Sequence, residues 1–135
     1  GDVVNSASRI EGVNKVFGTG IIIGDETRRL AQGAIETREL DLLTVVGKNE
    51  PLKVHELICK AGELTAEMAE LRDLFHDGLA AYRGQDWETA LRRFDDCLAR
   101  KPDDAPALVF QNRVKFLRVT PPAEDWDGVW QLTVK

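Results

Sequence analysis

Val3, Ala7, Ile10 and Val13 recur at intervals of three and four residues, a spacing that puts side chains on one face of an α-helix. A helix is predicted over residues 3 to 16, weakened by Gly12 and stopped near Gly18. The period then changes. "GIIIG" is a short β-branched run that suits a buried strand. "DETRRLA" reads as a short helix, with Asp25 and Glu26 at the end where the helix dipole favours acids. Beyond it, Leu40, Leu42, Thr44 and Val46 alternate with Glu39, Asp41, Leu43 and Val45, and Leu52, Val54, Glu56 and Ile58 share a second alternating face. The turn residues of "GKNEP" lie between, so two strands joined as a hairpin are predicted.

The pattern becomes purely helical near Ala61. Met68, Leu71, Phe75, Gly78 and Tyr82 mark one stripe, and Trp87, Ala90, Leu91, Phe94 and Leu98 mark another after "RGQD". "KPDDAP" breaks the chain, and Ala107, Phe110, Val114 and Leu117 mark a third stripe that ends at Pro121 and Pro122. Three helices with short connections predict an antiparallel stack. Trp126 and Trp130 follow, four apart, at a spacing that fits one helical face; an aromatic latch on the helices and a partner-binding peptide both account for them.

Composition narrows the picture. The chain has 135 residues, 43% hydrophobic and 30% charged, an ordinary globular mixture. A half of roughly 60 residues is marginal on its own, so the two halves are not expected to be large independent domains. The net charge of −5 disfavours nucleic acid as a partner, because phosphate binding draws on a basic surface. Cys59 and Cys97 lie outside any metal-ligand spacing and read as free thiols of a reducing compartment. His55 and His76 lack partners at ligand spacing and read as surface or half-buried side chains. No apolar run approaches a membrane span. A cytoplasmic location is expected, with membrane anchoring through upstream segments left open.

Asn5 and Arg9 stand out chemically. They sit one helical turn apart, away from the Val3–Ala7–Ile10 face. A solvated helix face explains them. So does a cleft in which the guanidinium meets a phosphate and the amide meets a sugar. Spacing alone leaves both open.

The surrounding letters add to this. "GDVVNSASRIEGVNK" resembles the G-D-x-V-N-x-A-S-R-x-E signature of the class III adenylate and guanylate cyclases. "GTGIIIGDET" is similar to the strand and short helix that follow it, and "RELDLLTVVGKNEPLKVHELI" to the closing hairpin, so the resemblance covers about residues 1 to 60. It implies an α+β fold: the C-terminal half of a ferredoxin-like cyclase domain (helix, strand, helix, β-hairpin). It implies that Asn5 orients the ribose, Arg9 stabilises charge on the α-phosphate, and Lys48 contacts substrate phosphates. The family's first lysine in that turn is Val46 here. Two ions, Mg²⁺ or Mn²⁺, act in the intact enzyme, and the resemblance implies that their aspartates precede Gly1. ATP or GTP is the implied substrate, and a homodimer with the active site between subunits the implied assembly. This chain by itself is expected to bind no metal and to be inactive.

Residues 71 to 103 resemble one tetratricopeptide-type repeat, through Gly78, Trp87, Ala90, Phe94 and Pro102. Asp77 stands where leucine is usual, and Cys97 replaces a small alanine. The expected second domain is therefore all-α and tetratricopeptide-like, over residues 62 to 135 with an aromatic C-terminal tail. Its expected role is regulation or capture of a protein partner; a plain helical hairpin that caps the sheet is the other reading. The leading expectation for the whole is part of a bacterial nucleotide cyclase with a helical extension. The alternative is a noncatalytic scaffold module whose cyclase-like half is degenerate.

Overall fold

The computed structural model describes residues 13–14, 16–44 and 50–132. The protein is α+β, and from residue 20 to residue 120 its elements follow the order that the patterning predicts; residues 3–12 of the predicted first helix lie outside the described residues. Val13, Asn14, Val16 and Phe17 are helical, and Gly18 closes that segment with φ of 61° and its N–H on the Asn14 carbonyl. Strand β1 spans Ile22–Gly24, helix α1 Asp25–Leu30, strand β2 Ile35–Thr44 and strand β3 Leu52–Lys60. Helices α2 (Ala66–Arg83), α3 (Trp87–Arg100) and α4 (Ala105–Val119) follow, and a two-residue strand β4, Trp130–Gln131, comes last.

The chain divides into a sheet unit, which runs to Leu64 and resumes at Val129, and a helical unit, Thr65–Gly128. In the sheet unit the strand order is β1-β3-β2-β4. β2 and β3 pair antiparallel from Ile35↔Lys60 to Leu43↔Leu52, as a hairpin requires, and β1 adds antiparallel to β3. Val13, Phe17, Ile22, Leu40, Leu43, Val54 and Leu132 form the core.

Three sequence expectations change here. "GIIIG" is an edge strand, not a fully buried one: Ile22 is buried and Ile21 is exposed. The alternation along β2 does not persist. Glu39 pairs with His55 and Asp41 with Val54, so Leu40 is an extra residue against β3. Such a bulge moves the inward set by one position. The buried residues are Arg38 and Leu40 before it and Asp41 and Leu43 after it, while Leu42 is only half-buried. Finally, the tail is not helical. Trp126 packs edge-on against Tyr82 at 5.2 Å within the helical unit, whereas Trp130 is a strand residue of the sheet. Among the described residues, Val129 to Leu132 group with the sheet rather than with the helices. An apolar–polar–apolar Trp130–Gln131–Leu132 suits a strand as well as a helix.

In the helical unit, the centre of each stripe faces inward, while Met68 at the start of the first is exposed. Phe75, Leu79, Tyr82, Ala90, Phe94, Cys97, Ala107, Phe110, Val114 and Leu117 are buried. Side-chain caps set the starts of two helices. Thr65 Oγ1 accepts from Met68 N–H at 3.1 Å, and Asp86 Oδ1 from Thr89 N–H at 3.3 Å. Pro106 in the first turn of α4 costs no helical hydrogen bond. Phe75, Phe94 and Phe110 stack mutually at 5.4–5.5 Å, a geometry that adds to their burial.

Candidate functional site

The charged groups of the sheet unit converge on β3. Gly24 pairs with Val54, which brings the next residue, Asp25, over the strand at the start of α1. Its carboxylate meets three cationic or donor groups. His55 Nε2 lies 2.8 Å from Oδ1, Arg28 Nε 3.2 Å from Oδ1, and Arg29 Nε 3.7 Å from Oδ2. Arg28 and Arg29 reach it because residues three and four apart on a helix are neighbours.

Burial pushes the His55 imidazole below its ordinary pKa of 6.5, and the nearby Arg28 guanidinium adds to this, against the pull of the Asp25 hydrogen bond. For Asp25, burial acts upward, but the hydrogen bonds from His55 and Arg28 outweigh it and hold the carboxyl below its ordinary value. A neutral imidazole facing a carboxylate must donate, so the proton sits on Nε2. The chemistry that follows is a pin between α1 and β3, with a charged Asp25 and a neutral His55.

On the neighbouring rung, Arg38 pairs directly with Glu56 in register. Its Nε and Nη2 donate to Glu56 Oε1 at 3.1 and 3.0 Å, and the Arg38 side chain is only 3% exposed. Lys53 Nζ stands 3.9 Å from Glu39 Oε1. Asp41 is buried one bulge further along, and its Oδ1 accepts from Leu42 N–H at 2.9 Å. The two strands are therefore held by charges that answer one another across them.

Asn5, Arg9 and Lys48, the expected nucleotide-binding residues, lie outside the described residues, as does Val46. The described structure reaches their flanks at Val13, Thr44 and Glu50. His55, expected at the surface or half-buried, is buried and partnered. Its partner stands 30 residues away, so no local spacing could reveal it. Cys59 and Cys97 form no disulfide. Among the described residues, no group of three or more His, Cys, Asp or Glu side chains is placed to hold a metal ion. Nor is any helix there long and apolar enough to cross a membrane.

A relative completes the picture. The chain is 30% identical over 118 residues to a terminal-differentiation specific adenylate cyclase of Dictyostelium discoideum. This chain is similar to one region of an adenylate cyclase. The match covers 84% of the chain, so it runs from the sheet unit into the helices, but it spans only 6% of that relative. No protein-family profile matches the chain, and no solved structure matches it.

Proposed function

We propose that this chain is the C-terminal part of a class III nucleotide cyclase of bacterial type, which converts ATP to cyclic AMP and pyrophosphate, followed by a tetratricopeptide-like regulatory extension. One observation carries the reading: the ordered set of cyclase-like motifs, from "GDVVNSASRIEG" to "GKNEP", occurs in a chain similar to an adenylate cyclase. The order of strand, short helix and hairpin supports it.

Cyclisation needs the ribose 3′-hydroxyl in line with the α-phosphorus, with pyrophosphate leaving, and positioning and charge stabilisation do most of that work. In this reading Asn5 hydrogen-bonds the ribose and fixes its orientation. Arg9 places a guanidinium on the α-phosphate as charge develops there. Lys48 draws on the phosphates from the hairpin turn. The described residues offer no metal cluster, so no metal-dependent step is assigned to them; Mg²⁺ or Mn²⁺ would be held by aspartates from sequence ahead of Gly1. The site is completed across a homodimer in the cytoplasm.

The helical unit is the regulatory or partner-binding part. The close seat of Gly78 on Phe94 and the capped α2–α3 hairpin support a tetratricopeptide-like unit. Val46, where related hairpins carry a lysine, favours a second reading: a noncatalytic scaffold. The deciding experiment measures cyclic AMP from ATP and Mn²⁺ with the full-length protein and with this chain alone. The cyclase reading expects activity in the first and none in the second. An inactive full-length protein that still dimerises leaves the scaffold.

A further inference from the structure

The chain leaves the sheet unit after Leu64 and re-enters it at Val129, so the whole helical unit is an insertion between β3 and β4. The re-entry is short and specific. Trp130 and Gln131 pair parallel with Leu43 and Thr44, and Leu132 N–H donates to the Thr44 carbonyl at 2.8 Å. The Leu132 side chain is 4% exposed, in the core of the sheet unit.

Just before this strand, the chain is fixed to the helices. Trp126 packs on Tyr82 and on Trp87, at 5.2 and 6.1 Å. Gln85 Nε2 donates to the Ala123 carbonyl at 2.8 Å. Gly128 has φ of 82°, and a Cβ there would stand 3.0 Å from Arg83 Cγ, so this turn is fitted to the end of α2. Three residues, Asp127 to Val129, separate the Trp126 anchor from the strand.

We propose that β4 is a mechanical strap through which the helical unit acts on the end of the β2–β3 hairpin. Three features suit it to that work. It is two residues long and parallel, so few hydrogen bonds hold it and it belongs to the readily opened part of the fold. It grips Thr44, the last residue of β2. Its other end is tied to the aromatic core of the helices. A partner that displaces Trp126 would pull β4 from Thr44, and a partner that fixes it would hold β2. Lys48 lies four positions beyond Thr44; the strap's effect on catalysis rests on the cyclase reading, whereas the coupling itself does not.

Amide hydrogen exchange in the intact chain, resolved by residue, tests the coupling. Trp126→Ala, in the helical unit, is expected to speed exchange of the Leu132 amide at least ~10-fold while the β1–β3 pairs at Ile22 to Gly24 keep their protection. Gly128→Val is the second variant and should act likewise if Trp126→Ala loosens the helices too broadly. Leu132→Asp, in the strap itself, should speed exchange at Leu43 and Thr44, and Leu132→Met should not. Unchanged Leu132 exchange in both Trp126→Ala and Gly128→Val, with folded helices, would overturn the strap. If the Leu132 amide responds but a cyclase-active full-length protein keeps its kcat in Leu132→Asp, regulation through the strap is overturned. A full-length protein with no cyclase activity sinks the functional reading and leaves the exchange result to decide the coupling.

Discussion

His55 Nε2 lies 2.8 Å from Asp25 Oδ1, although 30 residues separate them. The strand register makes this contact: Ile23 sits opposite His55, and the chain turns into α1 two residues later. The imidazole is buried and neutral, and Asp25, Arg28 and Glu39 are the charged groups around it. The pair therefore ties a short helix with no buried residue of its own to the sheet.

That pair gives the fold a pH dependence of defined sign. The folded-state pKa of His55 is depressed, so the unfolded chain takes up its proton first as pH falls. The stabilisation is complete above 6.5 and is lost as pH drops from there toward the folded pKa. Asp25 adds a second loss of the same sign below its ordinary 3.8. Urea midpoints measured from pH 8 to 5 should fall for the native chain. His55→Gln, which keeps a donor for Asp25, should flatten the curve in that window; an equally steep curve would clear His55 of the effect.

Arg38 and Glu56 pair across the hairpin with the Arg38 side chain buried and that of Glu56 part-exposed, so removal of either partner is asymmetric. Glu56→Ala removes the charge-assisted hydrogen bonds that this carboxylate accepts from a buried guanidinium, and a loss of about 1.5–3 kcal/mol is expected. Arg38→Met leaves Glu56, which is part-exposed and can rehydrate, and should cost less. Chemical denaturation of both variants checks the order; equal losses would mean that the pair is solvated.

On the proposed cyclase reading, Arg9→Ala in the full-length protein should lower kcat on the order of 10²–10³-fold, the cost of losing one transition-state donor, with little change in the thermal midpoint. Asn5→Ala should act in the same direction. Steady-state kinetics with ATP distinguish these effects from folding defects, and an unchanged kcat in Arg9→Ala would take Arg9 out of the chemistry.

The helices were readable in the sequence because packing stripes at three and four residues recur through Phe75, Phe94 and Phe110; the Thr65 and Asp86 caps became visible only in the structure. The hairpin was readable because its two arms alternate. What escaped has physical causes. A bulge leaves no signature in composition, so the alternation did not show that Asp41 and Leu43 are buried while Leu42 is half-buried. Trp126 and Trp130 share a spacing that suits a helix, and only tertiary pairing with Leu43 makes the second a strand residue. Asp25 and His55 meet through register, which short-range patterns do not encode. The nucleotide-binding expectation rests on Asn5, Arg9 and Lys48, all outside the described residues, so for the candidate site the sequence remains the stronger witness.

Gly78 shows where a small residue is required by packing rather than by backbone. A Cβ built there would come within 2.7 Å of Phe94 Cε1 and 2.9 Å of Cζ. The Phe94 ring cannot swing aside freely, since Phe75 and Phe110 hold it at 5.5 and 5.4 Å. Gly78→Ala gains up to about 1 kcal/mol of helix propensity. Forcing an extra carbon into a filled core costs about 1–3 kcal/mol. Overpacking should win, and the variant should unfold at lower urea than the native chain. Phe94→Leu makes room at that point, so the double variant should lose less than the two single losses combined. Strict additivity would mean that α2 and α3 do not meet at this contact, and the close approach of the two helices would have to be abandoned.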